Sequence, residues 1–570
     1  MTAAATPHTR RHHQPGRAHT PRHPTGPIRR TVIGLLLVAG AGCGTPPDNT
    51  GTPAPVSAAT QTAPDTTPNP EPELASNTPT RPQPETFTGT DIWVDPTGGA
   101  DTNSGRTRRT ALRTVSAAWR QIPANTTLTR GYRILLAPGR YPQEGSVNYW
   151  ENRRGTATAP IILTAADGPH TATFEADINM YNVSHFSLIG VDIIRDGDAF
   201  HCEQCEHILI KDAELSGGTG ARETVKVNQS QHIFIENADI HGAEDNAIDF
   251  VAVQYGHVTG SRISDAGDWC MYAKGGSAYL ELSDNEVFDC GTGGITAGQG
   301  TGFEFMTAPW LRYEAYGIRI IDNVIHDTDG AGLGVAGGYN IVLSDNTLYN
   351  VGARSHVVEF VRGRRGCDGD TATCDTHRAA GGWGSRDSEE PLIPNRHIFF
   401  YNNIIINPAR SPSQWQHLQI DGPIEPAASS GVPSPSRADD GLHIAGNVFL
   451  NGGPDMNLGT GDGCADTNRT CNERQIRADN AINTRNVALV DPSRGNYTLT
   501  PGSTALLPPR ATFTGFVWDT NLVPDPSDDP DPDPADPDPA DPGIGARGVH
   551  PTCPAVRVGH PSRPCTPTRN

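Results

Sequence analysis

The chain has 570 residues and a formal charge of −20, with 35% hydrophobic residues, 62 glycines and 49 prolines. That length suits one large domain with tails, or two domains, and so much Gly and Pro implies many turns. A chain this acidic is excluded as a general nucleic-acid binder, which needs surplus cations to neutralise phosphates.

Residues 1–30 are basic and rich in Pro and His, and "RRTVIGLLLVAGAGC" follows. The apolar run is too short for an ordinary membrane span and reads as a signal-peptide core over 1–42. "AGAGC" resembles a bacterial lipobox, with Cys43 as the lipidated residue and Gly40 where a leucine is common. Arg29–Arg30 also permits twin-arginine export. The expectation is an exported protein, either a cell-surface lipoprotein or a secreted one. The segment before Cys43 holds six arginines and no acids, so its removal leaves a formal charge of about −26.

Residues 43–90 are rich in Pro and Thr and read as a tether. At the other end, "DPSDDPDPDPADPDPADP" (525–542) alternates Asp with Pro, which blocks regular hydrogen bonding and repels itself. Residues 521–570 are therefore expected to be a disordered tail, leaving 91–520 as the folded domain.

There are 11 cysteines. With Cys43 set aside, the rest fall into close pairs: Cys202/Cys205, Cys270/Cys290, Cys367/Cys374, Cys464/Cys471 and Cys553/Cys565. Local disulfides suit an oxidising compartment. "CEQC" could also be half of a zinc site, but no second pair has matching spacing.

Within the domain, "DIWVDPTGGADTNSG" (91–105) predicts a first strand and a Gly/Asp loop. "ALRTVSAAW" (111–119) predicts an amphipathic helix near 110–121, and "RILLAPGRY" (133–141) a first coil. An internal repeat then dominates. "HFSLIGVDI" (185), "HILIKDAEL" (207), "HIFIENADI" (232), "YGHVTGSRI" (255) and "YLELSDNEV" (279) start 22, 25, 23 and 24 residues apart. "GIRIIDNVI" (317), "NIVLSDNTL" (340), "HIFFYNNII" (397) and "GLHIAGNVF" (441) follow at 38, 23, 57 and 44. A period near 23 built from short β-rich runs is a solenoid signal, and the absence of a helical pattern favours a parallel β-helix over a leucine-rich horseshoe. Ser261, Asn285, Asn323, Asn346, Asn403 and Asn447 recur in register and are expected to stack as a hydrogen-bonded ladder.

These units resemble the right-handed parallel β-helix repeats of the pectate lyase-like superfamily, over roughly 91–520. The resemblance implies an all-β solenoid with an N-terminal capping helix. It says less of activity, because the fold hosts many chemistries.

A second strand in each coil carries the charged residues: "FHCE" (200), "VKVN" (225), "IDFV" (248), "MYAK" (271), "ITAG" (295) and "LGVA" (333). Apolar first and third positions place the second and fourth on the outer face. One outer column is then His201, Lys226, Asp249, Tyr272 and Thr296; another is Glu203, Asn228, Val251 and Lys274. Glu223, Asp245 and Asp268 precede these strands in successive coils and are expected at nearly the same height, near Lys274. Later small residues ("GGITAGQG", "AGLGVAGG") predict a flat groove for a polymer.

All three oversized gaps insert after this strand. Trp310, Trp383 and Trp415 in those loops could stack on sugars, beside Tyr272, and Arg362, Arg364 and Arg365 could hold carboxylates or sulfates.

Uronic acid polymers are cleaved by β-elimination: a base takes the proton beside the carboxylate and the C4 oxygen leaves. The family-nine pectate lyases of this superfamily use acids on adjacent coils to hold Ca²⁺ and a lysine as base. "RETVKV", "AEDNAIDF" and "GDWCMYAKGG" resemble that layout. The resemblance implies Glu223, Asp245, Asp249 and Asp268 as Ca²⁺ ligands and Lys274 as base. Lys226 is a rival base or a salt-bridge partner of Asp249. A monomer acting on an anionic polysaccharide is expected. The alternatives are a non-catalytic polysaccharide-binding or adhesion protein and a polygalacturonase-like hydrolase.

Overall fold

The computed structural model describes residues 87–384, 390–461 and 463–512. The expected signal segment, Cys43, nearly all of the tether, the Asp-Pro tail and the Cys553/Cys565 pair lie outside these. Within the described residues no helix is long and apolar enough to cross a membrane.

Each coil contributes three short strands, here termed lead, middle and trailing. In one coil they are Phe200–Glu203, Glu206–Lys211 and Glu214–Ser216. In the next, lead and middle run together as Glu223–Glu236, followed by Asp239–Ala243. These coil strands pair in parallel with their counterparts in adjacent coils. Lead and middle strands form one 21-stranded sheet and trailing strands a 12-stranded one. The architecture is the expected parallel β-helix.

Its core is stacked columns of like residues. Phe200, Val225, Ile248, Met271, Ile295, Leu333 and Val358 lie in register on the inner face of the lead strands, and all are buried. Removal of such apolar surface from water is the main favourable term for a fold with so little helix.

The corners depend on left-handed backbone. Asp212, Asn237, Asp284, Asp322, Asp345 and Asn402 turn the chain from middle to trailing strand with φ between +50° and +61°. Asp and Asn are the side chains that best tolerate that region. The ladder residue comes next. The backbone N–H of Ser261 donates to Asn285 Oδ1 at 3.0 Å. The amides of Asn285, Asn323, Asn346 and Asn403 each donate to the next asparagine at 2.9 to 3.0 Å. The ladder runs one rung further than expected, to Asn480, at 2.8 Å from Asn447.

A second stack was not foreseen. His185, His207 and His232 lie face to face with centroids 4.3 Å apart, continuing to Tyr255 and Tyr279. These are the first residues of the repeats, also left-handed, with φ between +53° and +63°.

The N-terminal cap is shorter than expected. It is a five-residue helix, Val115–Trp119, whose first turn is capped by Thr114 Oγ1 accepting from the Ala117 N–H at 3.1 Å. Leu112 instead bridges to Val94 as extended chain. Trp119 closes the core against Trp150, centroids 4.7 Å apart. The first strand, Gly89–Val94, starts just ahead of the expected boundary. All four cysteine pairs within the described residues are disulfides, including Cys202–Cys205 of "CEQC", so that pair is not a zinc half-site.

Candidate active site on the lead sheet

The outer columns fall as expected. His201, Lys226, Asp249, Tyr272 and Thr296 are cross-strand neighbours in consecutive coils. Glu203, Asn228, Val251 and Lys274 form the second column. Pointing outward does not make them all wet: Asp249 is 1% and Tyr272 5% exposed.

Lys226 is the hub. Its Nζ lies 2.9 Å from Glu223 Oε1 and 3.0 Å from Asp249 Oδ2. Burial works against its charge, but the carboxylates of Asp249 and Glu223 outweigh it and hold the ammonium above its ordinary range. The buried Asp249 carboxylate also faces the Tyr272 hydroxyl, whose pKa burial and that carboxylate push up. On the far side of Lys226, burial and the lysine's charge push the His201 imidazole down, so it is neutral around pH 7.

Lys274 stands apart from the acids. Its Nζ is 3.2 Å from Gln299 Oε1 and 4.1 Å from the centre of the Tyr272 ring. Among the described residues no carboxylate forms an ion pair with it. Asp245 and Asp268 are not its neighbours, contrary to expectation. Asp268 precedes the lead strand Trp269–Lys274 that Lys274 ends, so about 20 Å of extended chain separates them. Asp245 is stacked on Asp268, its carbonyl accepting from the Asp268 N–H at 2.8 Å, and its carboxylate is held by Arg222 at 2.5 Å. The coils align as expected, but these acids and Lys274 sit at opposite ends of the strand.

The four expected calcium ligands therefore divide. Glu223 and Asp249 already hold a cation, the Lys226 ammonium. Asp245 holds Arg222, and Asp268 lies at the strand's opposite end. Among the described residues the groups of three or more potential metal ligands are Glu304 with Cys367 and Cys374, and Asp439 with Cys464 and Cys471, and those cysteines are disulfide-bonded. The donor set does not fit a calcium ion in this arrangement.

Several expected sugar contacts are structural. Arg365 is fully buried and paired with the equally buried Glu314. It also donates to the carbonyls of Trp383 and Leu311 at 2.8 and 3.2 Å, which ties two inserted loops together. Trp310 and Trp383 are 4% and 6% exposed, one packed on Tyr279 and Tyr316, the other on Leu392, Ile393 and Val432. Arg362 is held by Asp421 at 3.2 Å. The Tyr272 ring has Lys274 over its face and Trp269 beside it, so it offers no open platform. The small residues leave no flat groove at Gly293 and Gly334, where the ring of Trp269 lies so close that an added Cβ would meet it at 2.4 and 2.8 Å.

Arg364 and Trp415 remain exposed, with Trp415 near His356 at 5.9 Å. His356 Nε2 lies 3.0 Å from Glu359, a polar pair at the far end of the face. Sequence reasoning passed over Phe305, in the first inserted loop. It is 48% exposed, and its carbonyl accepts from Gln229 Nε2 at 3.2 Å, just past Asn228. The first inserted loop thus reaches the outer face beside Gln229, and it carries an exposed aromatic ring. Its signal, "FEFM" in the first insertion, was overshadowed by the tryptophan beyond it.

The description of a right-handed beta helix region matches residues 198–359, which include both lysines. The chain carries a right-handed parallel β-helix. No curated protein matches it. Among solved structures it is similar to pectate lyase Pel9A, at 16% identity and a TM-score of 0.33, over 49% of this chain and 76% of that one. It is similar to the A-module of the mannuronan C-5 epimerase AlgE4 of Azotobacter vinelandii, at 11% identity and a TM-score of 0.36, over 63% and 94%. It is also similar to an alginate lyase from Paenibacillus sp., at 15% identity and a TM-score of 0.31, over 43% and 95%.

Proposed function

We propose that this β-helix is an exported, polysaccharide-active protein that cleaves a uronic acid polymer by β-elimination on the lead sheet. The observation that carries the reading is the Lys226 ammonium, fixed between Glu223 and Asp249 on a half-open face, with Lys274 two coils on and bound to no carboxylate. The two lysines stand about 12 Å apart along the backbone, the span of a few sugar units.

The roles follow from those surroundings. Lys226 is held protonated, which disqualifies it as a base and suits it to neutralising a substrate carboxylate. That makes the neighbouring C5 proton removable. Lys274, as its neutral amine, takes that proton, the C4–O bond breaks, C4 and C5 become doubly bonded, and the leaving oxygen takes a proton from water. His201, neutral beside Lys226, is the second base candidate. Phe305 offers a ring on which a sugar can stack. No step passes through calcium.

The test is incubation of the protein with a panel of uronic acid polymers, with and without a chelator, following the ultraviolet absorbance of unsaturated ends. Turnover that survives the chelator is expected. The two carboxylates that flank Lys226 favour a second reading, hydrolysis by the Glu223–Asp249 pair. New reducing ends without unsaturation would establish that instead. Binding without any turnover would make the protein an adhesin.

A further inference from the structure

The trailing sheet carries a second site on its own outer face. There Phe288, His326 and Tyr349 are register neighbours in three consecutive coils. The C-terminal hairpin, Leu489–Asp491 with Asn496–Leu499, folds back over this face, anchored by Val487 and Leu499 among Val448 and Ala481. It brings the Tyr497 ring to 4.7 Å from His326 and 5.8 Å from Tyr349. Between hairpin and sheet is a cleft of about 520 Å³, within the range of small-ligand sites.

The chemistry of the cleft is acidic and aromatic. His326 is buried between Phe288 and Tyr497, with Nδ1 2.8 Å from Asp327 and Nε2 3.3 Å from Glu286. Arg262 is committed to Glu286 at 2.6 Å. The cations are thus consumed by two of the three carboxylates. The third, Asp289, is exposed on the cleft and makes no ion pair among the described residues. Burial and the charge of Asp327 push its carboxyl up, as expected for an acid short of a cation.

We infer that this cleft binds a saccharide bearing a protonated amine. The ammonium pairs with Asp289 while the sugar's apolar face lies on Tyr349 and Tyr497. A uronate would meet the unpaired Asp289 carboxylate and no free cation in the lining, and is disfavoured there. The inference stands independently of the lead-sheet reading.

The test is calorimetric titration of the full protein with a β-1,4-linked glucosamine dimer, its N-acetylated form and a galacturonate dimer. The glucosamine dimer is expected to bind at least about tenfold more tightly than the other two, the worth of one charge-assisted hydrogen bond. Asp289→Asn is chosen because φ is +54° there and Asn accepts that backbone, so the turn survives while the charge is lost. It should weaken binding about tenfold. Hydrogen exchange in 489–499 should slow on binding. Equal or tighter binding of the acetylated or uronate dimer, no binding, or an unaffected Asp289→Asn variant would each overturn the inference.

Discussion

The ammonium of Lys226 lies 3.0 Å from the carboxylate of Asp249 in the next coil, and Asp249 is 1% exposed. A buried carboxylate without its cation is costly, far more than the pair is worth. Lys226→Met should therefore destabilise the fold by about 3 kcal/mol in urea titration. Adding Asp249→Leu should recover most of that loss. A double variant as unstable as the single one would show that the lysine acts through packing alone.

The same geometry separates the two lysines in catalysis. Lys274→Ala should cost about 10²–10⁴ in turnover of the polymer identified by the panel, with little change in melting temperature. Lys226→Arg, which keeps the charge, should retain more activity than Lys226→Met. Initial rates on one polymer compare all three.

Asp245→Ala should be nearly silent in both turnover and stability, because its pair with Arg222 is largely exposed and lies at the wrong end of the strand. A loss as large as that of Lys274→Ala would return Asp245 to the active site.

The histidine stack sets an acid limit on stability. Burial and the neighbouring His207 push His232 down to about 4, and His185 and His207 are also lowered, with Glu206 the one acid facing them. Above pH 6.5 the rings are neutral in both folded and unfolded chains, and their contribution is whole. Below it the unfolded chain takes up protons that the folded one refuses, so stability falls until pH 4. The loss for His232 should be about 1–2 kcal/mol after solvent screening. His232→Asn tolerates the left-handed backbone and should flatten the slope, read as melting temperature against pH.

Arg365→Ala strips the partner from fully buried Glu314 and should cost about 3–5 kcal/mol. Hydrogen exchange should rise first in 299–314 and 362–384, the loops this pair joins.

The coil was legible because it repeats. Each strand offers a two-residue alternation, and each corner needs Asp, Asn or Gly before a ladder Asn, so a dozen weak signals reinforce one another. The outer columns followed from the same register. The site did not follow, because it depends on what the insertions do. Arg365, Trp310 and Trp383 had the composition of sugar contacts, yet those loops are large enough to need a core of their own and used them for it. Nor could the columns show which cation each acid had taken, since Arg222 reaches Asp245 from a preceding coil. The aromatic stack is written in the first letters of five repeats, three His and two Tyr. Strand periodicity carries no signal for it, because these residues sit at the corner between strands.

The asparagine ladder from Ser261 to Asn480 has a mechanical consequence. Its bonds, like those of both sheets, point along the axis, so coils are links in series. A pull on the two ends loads every rung with the same force, and the weakest junction yields first while the others hold. Shear across the axis is instead shared by all three strands of a coil at once. Such a rod is weakest in tension along its length, and it lengthens coil by coil.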